Sequence, residues 1–230
     1  MNSSRLVKAA KIINLVQRVR PSALELCVDV GCSSGIITQS LSTICHQIIG
    51  LDVDPENITI AHHSNQRSNV KFVEGNGLSI PLPDNSFDLV ISAQVYEHCG
   101  DPQTLLQEIY RILKPGGICF FSGPNRWWPF EFHYRWLFIH WLPAPLVDQI
   151  CQKRYHHPYD LKLLSFWQLK RLASPFQVID FTADVFYNGL DSSHPSALRR
   201  LFPLKFLRFL SPLFPNFNWI LEKPNNENTS

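Results

Sequence analysis

Two carboxylates and a run of small residues carry the first chemical signal in this chain. Val28-Asp29-Val30-Gly31-Cys32-Ser33-Ser34-Gly35 is an apolar run broken by glycines. A strand that turns sharply into a helix through glycines lets backbone approach a ligand closely, and the helix N-terminus offers free N–H groups. A second apolar run ends in Gly50-Leu51-Asp52-Val53-Asp54-Pro55. An acid at the end of a second strand accepts hydrogen bonds from both hydroxyls of a ribose. Asp54, directly before Pro55, is the natural cap of the next helix, which leaves Asp52 for a ligand.

The loop also excludes. Ser33 stands where the middle glycine of G-x-G-x-x-G would be, and Asp29 precedes the glycines inside the strand. A carboxylate there repels a pyrophosphate, which weighs against a nicotinamide dehydrogenase. It can instead orient the cationic methionine end of S-adenosylmethionine.

Acid–base candidates follow in two places. Glu97-His98 comes just after a fourth apolar run, and His98 is the leading candidate base, or else a structural histidine that anchors the following helix. Glu131 and His133 form a second pair inside a segment crowded with Trp127, Trp128, Phe130, Phe132, Tyr134, Trp136, Phe138 and Trp141. Aromatic walls with a few polar groups suit an aromatic or polyprenyl-like ligand. The same aromatics also suit the core of a small helical lid. No metal site is expected. The pairs His62-His63 and His156-His157 are adjacent and point in different directions. The six cysteines are scattered without a Cys-x-x-Cys pair, and read as small buried hydrophobes.

The elements that must position these groups alternate regularly. A helix is expected over 5–19, with Ser3 or Ser4 as its cap, and strands over 25–30, 47–52, 70–74, 88–93 and 118–123. Helices fall between them at 35–44, 55–65 and 103–113, the last stopped by Lys114-Pro115-Gly116-Gly117. This rhythm calls for a parallel sheet covered by helices on both faces. Beyond it come a helix over 165–173, a strand over 177–186 and a last strand over 219–222. One domain is expected over 1–222, with substrate-side insertions at 124–164 and 188–216, and a disordered polar tail over 223–230.

From Val28 to Gly123 the sequence resembles the class I S-adenosylmethionine-dependent methyltransferases, in the branch related to ubiquinone and menaquinone biosynthesis enzymes. The matching pieces are residues 28–35, 50–55, 74–89 (with Pro81-Leu82-Pro83-Asp84-Asn85-Ser86-Phe87-Asp88), 95–98 and 113–117. The resemblance covers the C-terminal half only in outline. It implies a Rossmann-like α/β fold with a seven-stranded, mostly parallel sheet in the order 3-2-1-4-5-7-6. The last strand is antiparallel, and an aromatic-rich lid follows strand five. It implies that Gly31, Cys32, Ser33 and Gly35 pass along the methionine and ribose, with Asp29 near the amino group. Asp52 would hold the ribose and Val53 pack on the adenine. Asn76, Gly77 and Leu78 would meet the adenine edge, the family often having aspartate where Asn76 stands. Ala93 and Gln94 would line the methionine end. The implied reaction is methyl transfer to a small-molecule or lipid-like acceptor, O- or C-methylation favoured, with S-adenosylhomocysteine as product. A catalytically silent S-adenosylmethionine-binding or partner-binding protein is the alternative. Ser92-Ala93-Gln94-Val95-Tyr96 lacks the Asn/Asp-Pro-Pro-aromatic motif of enzymes that methylate amines of DNA bases.

Bulk properties agree. A chain of 230 residues with 45% hydrophobic and 17% charged residues buries one full core. A net charge of +2 gives no reason to expect a nucleic-acid partner. The start of the chain lacks a secretory apolar core, so a cytoplasmic setting is expected, as a monomer or homodimer. Residues 198–214 carry Arg199, Arg200, Lys205 and Arg208 among leucines and phenylalanines. They form a lid or interface helix, or a candidate for peripheral contact with an anionic membrane.

Overall fold

The computed structural model describes residues 2–131, 134, 136–157, 159–190 and 203–225. A helix α1 (Asn2–Val19) is followed by β1 (Leu24–Val30), α2 (Ile36–Leu41), β2 (Cys45–Asp52), α3 (Pro55–Ser64), β3 (Val70–Glu74) and β4 (Phe87–Ala93). Then come α4 (Pro102–Ile112) and β5 (Leu113–Pro124). Short strands β6 (Phe130–Glu131) and β7 (Trp136–Leu137) pair as a separate hairpin, before α5 (Ala144–Tyr155) and α6 (Phe166–Leu172). The chain closes with β8 (Gln177–Asp180), α7 (Thr182–Asn188), α8 (Leu204–Phe209) and β9 (Asn216–Glu222).

Seven strands form one sheet in the order β3-β2-β1-β4-β5-β9-β8. The first five run parallel, and β9 is antiparallel to β5. The expected order 3-2-1-4-5-7-6 is renumbered in its last two places. The hairpin β6–β7, too short to leave a periodic signal in sequence, takes two numbers without joining the sheet.

Alternation along each strand sends side chains to two buried faces. Val28, Val30, Val90 and Phe121 pack under α4 and α6. Cys27, Leu89, Ile91 and Phe120 pack under α1, α2, α3 and α7. Both faces are covered, as a parallel sheet requires, and each fully buried leucine or isoleucine contributes about 1.5–3 kcal/mol.

The caps explain where helices start. Asp54 accepts from the Glu56 N–H at 2.9 Å and Pro55 opens α3. Asp101 caps α4 through Gln103 and Thr104. Ser165 and Gln168 form a capping box on α6. Helix α1 starts at Asn2, ahead of the expected caps Ser3 and Ser4, and its buried stripe is Ala9, Ile12, Leu15 and Val16.

Three further expectations are corrected. Residues 177–186 are not one strand: Asp180 accepts from the Thr182 N–H at 2.8 Å, which ends β8 and turns the chain into α7. Strand β5 begins at Leu113, five residues early, with a register shift beside Gly116-Gly117. Lys223, placed in the polar tail, is buried, and its ammonium reaches Asn85 Oδ1 (2.7 Å) and the Tyr110 and Leu113 carbonyls (both 2.8 Å). Residues 226–230 of that tail lie outside the described residues.

The insertion at 124–164 has its own core of Tyr134, Ile139, Val147, Cys151, Leu161 and Leu163. The lid-core reading of the aromatics therefore holds for Tyr134 and for Trp136, which packs against it. Trp127, Phe138 and Trp141 instead remain exposed, with the Trp127 and Phe138 rings 6.2 and 4.8 Å from that of Trp141. Of the segment 198–214, residues 198–202 lie outside the described part, and Phe209 on α8 is 80% exposed. Among the described residues no helix is long and apolar enough to cross a membrane.

Candidate functional site

Because β1 to β5 run parallel, the loops that follow them all gather at one edge of the sheet. The loop after β1 is pinned to the end of β2: the Gly31 and Cys32 N–H groups donate to the Leu51 carbonyl at 2.7 and 3.0 Å. Gly31 has φ +75°, and a Cβ there would lie 2.6 Å from Val95 Cγ2, so only glycine fits. Gly35, with φ +76°, is closed against Phe72 in the same way. Gly31 is exposed on the loop, and Gly35 is buried. Ser33 holds the left-handed conformation (φ +49°) that the missing middle glycine would adopt freely. Its backbone N–H donates to Asp52 Oδ2 at 2.7 Å.

Asp52 is thereby fixed at the carboxyl end of β2. Its Oδ1 accepts from the Asp54 N–H at 3.0 Å and from Asn57 Nδ2 at 3.5 Å. Next to it Val53 leaves an apolar side chain 67% exposed. A carboxylate bound by three donors beside an open apolar side chain suits a nucleoside, with a diol on the acid and a flat ring on the valine. Asn76 completes this rim after β3. Its Oδ1 accepts from the Leu78 N–H at 2.9 Å, which shapes the turn through Gly77.

Asp29 lies under the loop. It is almost fully buried and accepts from Thr38 Oγ1 at 2.6 Å. Burial raises its carboxyl to about 7, the negative charge of Asp52 adds to the rise, and the Thr38 bond opposes it. The Cys32 thiol is buried and raised by the same desolvation, which suits a packing role.

The loop after β4 carries the next group. Gln94 is left-handed (φ +62°), and its N–H donates to the Ser122 carbonyl of β5 at 2.7 Å. Tyr96 is buried, and its hydroxyl donates to the Pro124 carbonyl. Glu97 is fully buried, while His98 is exposed on the turn, with its N–H on the Val95 carbonyl at 3.0 Å. The 159–164 stretch of the insertion is tied to this turn, the Lys162 N–H donating to the Glu97 carbonyl at 2.8 Å. Of the second acid–base pair, Glu131 falls in β6, and His133 lies outside the described residues.

Sequence reasoning placed the N-terminal helix but missed where its start would reach. Arg20, near its end, reaches the Gly116 carbonyl and Glu222 at the far edge of the sheet. Arg5, near its start, donates to Ser34 Oγ and, at 3.4 Å, to Ser33 Oγ. Helix α1 thus runs against the strands and brings its first two turns to the ligand edge. There Lys8 and Lys11 border a cavity of about 50 Å³ with Gln94, Ser122, Asn216 and Asn218. The signal was present in the sequence as cations at positions 5, 8 and 11, one helical stripe. Which sheet edge they reach depends on how the helix packs. Among the described residues no cluster of three or more His, Cys, Asp or Glu is arranged to hold a metal, and all six cysteines are free thiols.

Comparison with known proteins agrees with this architecture. Residues 28–121 match the family described as a methyltransferase domain. A Mycolicibacterium smegmatis protein named as a probable S-adenosylmethionine-dependent methyltransferase is 36% identical over 99 residues, covering 43% of this chain and 38% of that protein. A ubiquinone biosynthesis O-methyltransferase of Cereibacter sphaeroides is 30% identical over 101 residues, covering 43% and 41%. The aligned part thus spans about two fifths of these relatives' length. Among solved structures, the YcgJ protein of Bacillus subtilis shares the fold with a TM-score of 0.60 at 16% identity, covering 94% of this chain and 98% of that one. The stretch 28–121 thus matches a methyltransferase domain, within a chain that shares the fold of that solved structure.

Proposed function

We propose that this chain, built on that domain, is an S-adenosylmethionine-dependent methyltransferase acting on a small-molecule or lipid-like acceptor, with O- or C-methylation favoured. The observation that carries the reading is the Ser33–Asp52–Val53 rim, a donor-fixed carboxylate beside an open apolar side chain where five parallel strands end. Asp52 would accept from the ribose hydroxyls, Val53 would support the adenine, and Asn76, Gly77 and Leu78 would border its edge. Gly31, Cys32 and Ser33, with Ala93 and Gln94 opposite, would hold the methionine end, and Asp29 and Gly35 would support that loop from below. When bound, S-adenosylmethionine supplies a methyl group on a cationic sulfur, open to in-line displacement.

What the chain's own residues do is bind, align and exclude water, and alignment alone is worth roughly 7–11 kcal/mol. His98 is the candidate to take a proton from a hydroxyl acceptor, with Glu131 and His133 of the insertion as the other candidates. The exposed Trp127, Phe138 and Trp141 support an apolar acceptor, and Phe206 and Phe209 on α8 beside Lys205 support contact of 198–214 with a membrane. A catalytically silent binder with the same rim would take the donor and release nothing.

The test is thermal unfolding with S-adenosylmethionine, S-adenosylhomocysteine and NADH in parallel, then a screen of phenolic and quinol acceptors for S-adenosylhomocysteine release. Stabilisation by the two adenosyl compounds alone, about 2.7 kcal/mol at a hundred times the dissociation constant, followed by turnover, is the expected result. Donor binding with no turnover across the panel favours the silent binder. No stabilisation by either compound removes the reading.

A further inference from the structure

The insertion that follows β5 carries apolar side chains on its outside as well as its inside. Its core holds Tyr134, Ile139, Val147 and Cys151. Outside that core, Trp127, Leu137, Phe138, Trp141, Leu142 and Leu146 are between 38% and 63% exposed. A cluster of large apolar side chains left open to water marks a contact surface. The rings of Trp127 and Phe138 both approach that of Trp141, so three of the six form one aromatic group.

Local backbone geometry builds this group. Phe138 is left-handed (φ +61°), a conformation that a bulky aromatic residue rarely adopts. Its N–H donates to the Pro129 carbonyl at 2.6 Å, and the 3-10 turn Ile139–Trp141 starts directly after it. That turn buries Ile139 in the insertion's core and leaves Phe138 and Trp141 outside. Strained backbone of this kind persists only where the surrounding structure enforces it, and it clusters at functional surfaces. The Trp141 indole N–H donates to the Arg126 carbonyl at 2.7 Å, which fixes the ring against the start of the insertion.

The charges around the group select its partner. Residues 136–147 contain no Asp or Glu, and the exposed cations Arg126, Lys153 and Arg154 flank them. Asp148, the next acid along the chain, accepts from the Tyr159 N–H at 3.2 Å and so serves the insertion's own backbone. Indoles with an apolar body and a polar N–H, leucines beside them and cations at the border match the headgroup layer of a membrane. We infer that this face of the insertion docks the chain on an anionic lipid bilayer, with Leu142 and Leu146 entering the acyl boundary. The face is distinct from 198–214, although Asn125 Nδ2 joins the bases of the two segments by donating to the Pro212 and Phe214 carbonyls at 2.8 and 2.9 Å. It begins at Trp127, shortly after β5 ends at Pro124. Docking stands apart from the methyltransferase reading above; only the corollary, an acceptor taken from that bilayer, rests on it.

The test uses the whole chain and two kinds of vesicle, phosphatidylcholine alone and phosphatidylcholine mixed with phosphatidylglycerol. Binding is read by co-sedimentation, and insertion by quenching of tryptophan emission with brominated phosphatidylcholine. The wild type should bind the mixed vesicles about tenfold more tightly than the neutral ones, with its emission quenched. Leu142→Glu combined with Leu146→Glu should lower vesicle affinity by about tenfold or more and leave S-adenosylhomocysteine affinity unchanged. Leu137→Glu, at the most exposed of the six positions, repeats the test should the double variant fail to fold. Phe206→Glu combined with Phe209→Glu on α8 separates the two surfaces: loss of binding there, with none from the leucine pair, overturns the assignment. Absence of vesicle binding overturns it too, as does binding without quenching that high salt removes. A wild-type dimer that the leucine variant dissociates also overturns it, since a second copy would then cover the face. A chain that docks on vesicles but takes no S-adenosylhomocysteine fails the methyltransferase reading instead and leaves the docking face standing.

Discussion

The Ser33 main-chain N–H donates to Asp52 Oδ2 at 2.7 Å, so the loop after the first strand is held by the acid that ends the second. One contact thus couples the two parts of the proposed donor site. Ser33 adopts a left-handed backbone to make it, a conformation costing roughly 1–2 kcal/mol for a residue with a Cβ.

Asp52→Ala removes the proposed acceptor for the ribose and the partner of Ser33 together. Hydrogen bonds to a charged group contribute about 1.5–3 kcal/mol. S-adenosylhomocysteine should therefore bind roughly 10- to 100-fold more weakly, while far-ultraviolet circular dichroism stays that of the folded chain. Calorimetric titration measures it, and an affinity equal to that of the wild type would remove Asp52 from the site.

His98→Ala tests the proposed base. A positioned base contributes roughly 10²–10⁴-fold, so with a hydroxyl acceptor kcat should fall by that factor while donor affinity holds. His98 is exposed on its turn. A kcat within twofold of wild type across pH 6–9 would assign the proton transfer elsewhere.

Gly31→Ala should destabilise through two effects, the left-handed backbone and a Cβ placed 2.6 Å from Val95 Cγ2. The cost should reach about 2 kcal/mol or more. Adding Val95→Ala should recover part of it, leaving the backbone term. Urea melts of the four chains in that cycle decide; additive costs would mean that the two residues do not meet.

The first half of the chain was legible because its signals are local. Apolar runs ending at Gly31 and Asp52, the cap at Asp54 and the stop at Gly116-Gly117 each report a strand end or helix boundary within a few residues. What failed depended on distance. The stretch 177–186 is rich in β-formers and read as one strand, but the Asp180 carboxylate turns it at Thr182. Lys223 looks like the start of a polar tail, yet three oxygens from Asn85, Tyr110 and Leu113 converge on it. The stripe of Arg5, Lys8 and Lys11 is visible, but its meaning comes from the antiparallel run of α1 across the sheet.

Lys223→Ala follows from that convergence. The lysine is buried, its ammonium sits 4.5 Å from the Tyr110 ring centre, and burial lowers its pKa. Removing it leaves carbonyls from α4 and β5 without their donor, which should cost about 2–3 kcal/mol. Chemical denaturation measures this, and a change under 0.5 kcal/mol, the usual range of surface substitutions, would return Lys223 to the tail.

Asp29 gives the last prediction, in the pH dependence of stability. Its carboxyl is raised to about 7 in the folded chain, chiefly by burial, against roughly 3.9 unfolded. Between those values the folded state holds a proton that the unfolded state has released. Stability from this group therefore falls as pH rises through the window, by a total of roughly 4 kcal/mol at 1.36 kcal/mol per unit. Asp29→Asn keeps a carbonyl for Thr38 Oγ1 and cannot ionise. The variant should match or trail the wild type near pH 4 and become progressively more stable than it up to pH 8. Urea melts of both chains at half-unit steps isolate the term, since other titrations are shared. A stability difference that stays flat from pH 4 to 8 would show that Asp29 does not change its protonation on folding.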